Sequence, residues 1–324
     1  MRIAVVVAVP HLPGEEGRWA ELTHRDVPLR HASHLAALGH EVHVFFDGPP
    51  RVVGEAGFTV HVEAGPLPAL GAVLWSPHLV HAARAVRPDV LHLHHLLAVE
   101  NVAAAVRGLV CPVFAEFHGG TPPRRWARRR LLAWASRRLA GVFTAAPEHL
   151  APLDAAGALA RSAPRHVSPE ISSRFAGPVA RPPRRGGPRI LVVGRCEAPK
   201  DPFATLAVLR HAVALRPDVE VVWATPGGAD TAAVQAVLRD DPALAGRVRF
   251  GPVAPAAMAE VYASADVTLV TSEREIGGTV LLESLGQGTP VAAFALPVFA
   301  SLGGRCEAVV QVDGRDPEAL ARAA

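Results

Sequence analysis

The chain has 324 residues, 50% of them apolar, a formal net charge of +3 and three cysteines. That length is long for one domain and suits two of roughly 150 residues, each with enough apolar material for a core. The scattered Cys111, Cys196 and Cys306 form no CxxC pair and an odd set, which argues against a disulfide framework and fits a reducing cytoplasm; the small net charge does not mark a nucleic-acid binder, and no apolar run is long enough to span a bilayer.

Strand and helix patterns alternate along the chain. In MRIAVVVAVP the apolar run is cut short by Pro10-His11, and no small-residue cleavage site follows. Residues 3–9 therefore read as a buried first strand and not as a leader. A helix is expected over 27–39, closed by Gly39 as a C-cap, and then a strand over 41–46. Residues 67–86 carry a second helical pattern, and 89–95, 112–117 and 141–146 are further β-branched runs. Such near-continuous apolar strands between helices indicate a parallel sheet covered on both faces. The composition breaks at FAGPVARPPRRGGPR (175–189), which reads as a linker between domains 1–178 and 179–324. A fresh alternation follows: strand 189–195, helix 202–215, strand 219–224, helix 230–239, strand 247–253, helix 255–264, strand 266–272, helix 279–286 and strand 290–295. The fold class is α/β, with two doubly wound Rossmann-like domains and a ligand expected in the cleft between them, at the carboxyl ends of the strands.

Two stretches carry chemistry. EREIGGTVLLESLGQGTPV (273–291) places Glu275 and Glu283 on either side of Gly277-Gly278. Glycines at the start of a helix can turn backbone N–H groups toward an anion. A carboxylate can accept from both hydroxyls of a diol. The alternative is a solvated loop glutamate and a surface helix glutamate. In GRCEAPK (194–200), Arg195 and Lys200 follow a strand and precede a helix. A guanidinium fork and an ammonium point charge there suit a diphosphate, against the plainer reading of two surface cations.

These segments, in this order, resemble the retaining GT-B glycosyltransferases of family GT4. G-R-x4-K after a strand and Glu275 to Glu283 followed by Gly288-Thr289-Pro290-Val291 are similar to that family's donor-side motifs; LAALGHEV (35–42), RPDVLHLHH (87–95) and VFAEFHGG (113–120) are similar to its first-domain motifs. The resemblance implies a nucleotide-sugar donor, a UDP-sugar as the expected form, with no further cofactor and no metal. It implies that Arg195 and Lys200 hold the diphosphate and that Glu283 binds the ribose. Glu275 with the amides of Gly277, Gly278 and Thr279 would hold the donor sugar and phosphates. His118 would stand near the donor sugar on the first-domain side, and Pro252-Val253 would flank the base. The acceptor, a small molecule or a lipid, stays open. Retaining transfer in such enzymes resembles a front-face reaction through an oxocarbenium-like state, without the paired carboxylates of glycosidases.

The chain departs from the family pattern in places. PGEEGRWAELTHRDVPL (13–29) replaces a Gly-Gly approach to the phosphates, and its His24, Arg25 and Asp26 are candidates for an acceptor pocket; Gly277, Ser168-Pro169 and Ala146 stand where the family has phenylalanine, asparagine-glycine and serine. The family usually continues past the point equivalent to residue 324 into a helix that crosses to the first domain. That expectation allows looser closure or a protein partner. Sixteen histidines invite a metal, but His92 and His94 share one strand face, His95 takes the other, and no third ligand is spaced to join them. No D-x-D and no G-x-G-x-x-G is present, which argues against metal-dependent GT-A enzymes and Rossmann dehydrogenases. RRWARRRLLAWASRRLA (124–140) reads as a packed amphipathic helix with a solvated arginine face, or as a peripheral docking helix for an anionic membrane. The competing functions are an epimerase of the same architecture and a non-catalytic subunit. Arginine and alanine enrichment points to a high-GC bacterium.

Overall fold

The computed structural model describes residues 1–10, 27–48, 50–55, 57–64, 77–168, 175, 177–183, 186–303 and 306–324. His24, Arg25, Asp26, Pro169 and residues 67–76 of the helical pattern expected over 67–86 lie outside these residues. The chain separates into two compact units, Met1–Ser172 and Ser173–Ala324.

The first unit is built on β1 (Arg2–Pro10), β2 (Glu41–Asp47), β3 (Arg51–Glu55), β4 (Phe58–Glu63), β5 (Val90–Leu93), β6 (Val113–Phe117), β7 (Gly141–Thr144) and β8 (Arg165–Val167). They form one eight-stranded sheet in the order β3-β4-β2-β1-β5-β6-β7-β8. Every pairing is parallel except β3 with β4. β1 shows why its sequence is apolar from Ile3 to Val9. Ala4 and Val6 enter one buried cluster with Leu91, Leu93 and Val99, while Ile3, Val5 and Val7 enter another with Leu29, Val42 and Val44. A strand covered on both faces has no polar alternation to show.

The helix Val27–Ala37 precedes β2, and Gly39 turns the chain between them at φ +84°. The helical pattern at 67–86 yields a helix over Pro77–Ala85, and a further helix, Val99–Gly108, separates β5 from β6. The basic segment forms a helix over Trp126–Ser136. Its Leu132 and Ala135, with Leu139 just beyond, are buried in the main cluster, while Trp126 is 65% exposed. Arg107 and Arg138 lie over the half-buried Trp134 ring at 4.8 and 4.3 Å. The helix therefore packs through one face, as an amphipathic core helix does. Among the described residues, no helix is long and apolar enough to cross a membrane.

The second unit is wholly parallel. β9 (Arg189–Val193), β10 (Glu220–Ala224), β11 (Val248–Gly251), β12 (Val267–Val270), β13 (Val291–Phe294) and β14 (Val309–Val312) run in the order β11-β10-β9-β12-β13-β14. β9 repeats the logic of β1, with Ile190 and Val192 in one cluster and Leu191 and Val193 against the other. The helices Pro202–Leu215, Thr231–Asp240, Met258–Ala263 and Thr279–Gly286 alternate with these strands, and Pro297–Gly303 and Pro317–Ala323 follow. Proline-rich residues ahead of β9 are held to this unit by Gln287, whose side chain accepts from the Val179 amide at 3.0 Å and donates to the Gly177 carbonyl at 3.1 Å.

Both sheets reverse their winding once. In the first unit β1 lies between β2 and β5; in the second β9 lies between β10 and β12. At such a switch point the loops leaving two neighbouring strands diverge to opposite faces and leave a crevice at the carboxyl edge.

Candidate functional site

In the second unit the crevice opens between the ends of β9 and β12. Gly194, Arg195, Lys200, Thr271 and Ser272 line it. Two loops meet there, 194–200 after β9 and 271–278 after β12. They are stitched together by backbone: the Glu273 amide donates to the Pro199 carbonyl at 3.1 Å. The Thr271 hydroxyl lies 3.2 Å from the Lys200 and Asp201 carbonyls and 2.6 Å from the Thr205 hydroxyl. Arg315 adds a third tie, donating to the Thr271 carbonyl at 2.8 Å and the Ser272 carbonyl at 3.2 Å and pairing with the Asp201 carboxylate.

Local sequence explains the loop shapes. Asp201 caps the helix Pro202–Leu215 by accepting from the Ala204 amide at 3.0 Å, and Pro202 occupies the first turn, where no N–H is needed. Behind the loop, Gly228 has φ +154° and a Cβ there would stand 2.3 Å from the Cys196 carbonyl oxygen, so only glycine lets the two segments approach. On the other side Gly278, at φ +59°, turns the chain into the helix Thr279–Gly286. The first-turn amides of that helix have no intrahelical partner and carry the positive end of its dipole.

The charged residues then take definite partners. Lys200 Nζ donates to Glu275 Oε1 at 2.5 Å, and the Ser272 hydroxyl donates to the same oxygen at 2.6 Å. Arg195 borders the crevice but is 66% exposed and pairs with Glu197 at 2.9 Å. Gly277 and Gly278 are buried between Glu275 and the helix start. Glu283 is not a solvated helix residue: it is 3% exposed, and the Tyr262 hydroxyl donates to its Oε2 at 2.9 Å. Val253 packs on the same buried cluster as Tyr262, and with Pro252 it lines a surface hollow beside Trp223 and Phe250. Lys200 and Glu275 are thus in direct contact, whereas Arg195, Val253 and Glu283 each have other neighbours. Ser272, Tyr262 and Arg315 are additions that sequence reading missed.

In the first unit His118 lies in a group of imidazoles around Glu116. The β5–β6 register pairs His92 with Phe114 and Leu93 with Ala115, and the next step sets His94 beside Glu116. Side chains two apart share a face, so His92, His94, Glu116 and His118 converge. Glu116 Oε2 lies 3.3 Å from His92 Nε2, 3.2 Å from His94 Nδ1 and 3.3 Å from His118 Nε2. His118 Nε2 lies 3.1 Å from His94 Nδ1. This corrects the expectation that no third ligand accompanies His92 and His94. The third group comes from the neighbouring strand, which spacing along one strand cannot reveal. Burial pushes His94 down to about 3 and His95 to about 4, and lowers His31. Burial would raise Glu116, but the imidazoles of His118, His92 and His94 outweigh it and hold the carboxyl well below its usual range.

Residues 27–157 match the family described as Glycosyltransferase Family 4, and residues 187–324 match Glycosyl transferases group 1. A D-inositol 3-phosphate glycosyltransferase of Streptosporangium roseum is 31% identical, over 90% of this chain and 77% of the relative. A phosphatidyl-myo-inositol mannosyltransferase of Mycolicibacterium smegmatis is 29% identical, over 91% of this chain and 81% of the relative. Among solved structures, sucrose-phosphate synthase from Thermosynechococcus elongatus superposes with a TM-score of 0.71 at 20% identity, covering 100% of this chain and 88% of the other. At that identity the likeness speaks for the fold.

Proposed function

The chain belongs to the group 1 glycosyltransferases of family 4, and from that premise we propose that it moves a sugar from a UDP-sugar to an acceptor hydroxyl, with retention of configuration and no metal ion on the diphosphate. The observation that carries this reading is the convergence of Lys200 and Ser272 on one oxygen of Glu275 at the second sheet's switch point. A cation, a carboxylate and a helix amino terminus converge there. A departing diphosphate needs positive charge, and the donor sugar offers hydroxyls to a carboxylate.

In this reading Lys200 exchanges Glu275 for the diphosphate when donor binds, and Arg195 swings from Glu197 to assist. The amides of Gly277, Gly278 and Thr279 face the phosphates. Glu275 turns to the sugar hydroxyls. Glu283, held by Tyr262, accepts from the ribose, and Pro252-Val253 border the base. As the bond from the anomeric carbon to the phosphate oxygen breaks, the acceptor oxygen bonds to that carbon from the same face. The acceptor proton passes to the departing phosphate oxygen, so no protein carboxylate needs to attack. The residues act by positioning and by stabilising charge that develops on the leaving group. The relatives' names make an inositol-type polyol, free, phosphorylated or lipid-linked, the first acceptor to test.

The test is a thermal-shift screen against UDP, GDP, ADP and their sugar conjugates, followed by product analysis with inositol acceptors. A ligand that binds only the folded protein raises its melting temperature. A shift with UDP and UDP-sugars, and an α-linked product from an α-linked donor, is expected. A preference for another base would overturn the donor assignment; an inverted product would overturn the mechanism. A changed sugar nucleotide without acceptor would mark an epimerase, and no shift with any nucleotide a non-catalytic subunit.

A further inference from the structure

We infer that the first unit holds a divalent metal ion of the zinc class, ligated by His92, His94 and Glu116, with His118 as the fourth ligand. The inference stands on the first unit's own geometry and does not depend on which sugar or nucleotide the second unit binds.

With metal–nitrogen and metal–oxygen bonds of about 2.0–2.1 Å at tetrahedral angles, neighbouring ligand atoms stand about 3.3–3.4 Å apart. The measured separations are 3.3, 3.2 and 3.3 Å from Glu116 Oε2 to the three imidazole nitrogens, and 3.1 Å between His118 Nε2 and His94 Nδ1. One donor atom from each of His92, His94 and Glu116 falls within 4.8 Å of the other two. The widest edge closes by turning one ring about χ2, a soft torsion.

His92 Nε2 and Glu116 Oε2 are shut off from solvent and 3.3 Å apart, yet neither has an aligned hydrogen-bond partner among the described residues. Buried polar atoms normally satisfy one another by pointing an N–H at an acceptor. Here the distance is met and the alignment is not. A cation lying between two such atoms would satisfy both, which a misaligned N–H does not. Three imidazoles and a carboxylate suit zinc and its neighbours, whereas all-oxygen sets suit magnesium and calcium.

The ligands sit at the carboxyl ends of β5 and β6, beside the switch point of the first sheet. Immediately after His118 the chain turns through Gly119 and Gly120, at φ +83° and +113°. A bound ion would fix His118 at the start of that turn, so its role in the first unit is positioning.

The experiment reads metal directly. The full chain is stripped with a chelator, titrated with zinc or cobalt, passed through a desalting column and assayed for bound metal. A single tightly held ion per chain is expected, with the strong visible bands of tetrahedral cobalt and a higher melting temperature with zinc than without. His92→Gln and Glu116→Gln, each checked for folding by circular dichroism, should weaken binding by at least the roughly tenfold that loss of an outer-shell partner causes. His43→Ala, in the separate contact of His43 with His61 and Glu41, should leave it unchanged. Wild-type protein that retains no metal, octahedral-type cobalt spectra, or ligand variants that bind as wild type would each overturn the assignment.

Discussion

Removing the Tyr262 hydroxyl tests whether Glu283 is a preset ribose acceptor. Tyr262 is wholly buried, Glu283 is 3% exposed, and the hydroxyl donates to Oε2 at 2.9 Å. Tyr262→Phe keeps the ring and its packing against Phe175 and takes away one donor to a buried carboxylate. A hydrogen bond to a charged group contributes about 1.5–3 kcal/mol. In a domain of this size each kcal/mol moves the melting temperature by about 2–4 °C, so a fall of roughly 3–12 °C is expected. The carboxylate also loses its fixed orientation, so UDP affinity should fall by about tenfold, the equivalent of roughly 1.4 kcal/mol. Thermal melts with and without UDP, and calorimetric titration, measure both. The cycle with Glu283→Gln separates orientation from packing. If the two residues act through this bond, the double variant loses less than the sum of the single losses. A melting temperature within a degree of wild type, or additive losses, would refute the reasoning.

The other donor-side residues should separate by role. Lys200→Ala should lower kcat by about 10²–10³, the scale seen when a group facing developing charge is removed. Glu283→Ala should chiefly raise the Kd for UDP, and equal wild-type kinetics in both variants would dismiss the assignments. Arg315→Ala removes the tie from Asp201 to the Thr271 and Ser272 carbonyls. It should raise KM for the donor while leaving the far-UV spectrum unchanged, and Arg315→Lys should restore little, because an ammonium cannot span the same fork. Unchanged KM in Arg315→Ala would show that the two loops hold together without it.

Sequence alone resolved the elements whose ends carry local signals. Pro202–Leu215 and Thr279–Gly286 have the expected limits because Asp201 with Pro202 starts one and Gly278 starts the other. The hairpin of β3 and β4 was missed although Phe58, Val60 and Val62 alternate with exposed or half-buried neighbours, because the runs are short and glycine-flanked. β8 has three exposed residues and no apolar pattern to read. The same division governs the site. Lys200, Glu275 and Glu283 stand out because charge beside glycine turns is visible in one dimension. Tyr262, Arg315 and Glu116 act on partners from other elements: Tyr262 reaches Glu283 across 21 positions and Arg315 reaches Thr271 across 44. Only the strand order and register bring such residues together.

The Lys200–Glu275 contact carries a prediction whose sign differs from intuition. Without donor, the ammonium is neutralised by a carboxylate at 2.5 Å, and Ser272 steadies the same oxygen. The two side chains are 25% and 12% exposed, so water screens the pair less than a surface ion pair, and taking one partner away leaves a partly buried charge to be satisfied. A diphosphate must win the ammonium from Glu275 before it can be held. Glu275→Gln keeps the shape and the hydrogen bond from Ser272 but abolishes the competing charge. UDP should therefore bind more tightly to Glu275→Gln, by about threefold to tenfold if roughly 0.7–1.4 kcal/mol of ion pairing is released. Transfer should nevertheless slow, since the amide is a poorer acceptor for the donor sugar's hydroxyls than the carboxylate. Tighter UDP binding with lower kcat would identify Glu275 as a residue that holds Lys200 in reserve and then serves the sugar. Weaker UDP binding would mean that Glu275 organises the phosphate site itself and that the exchange of partners does not occur.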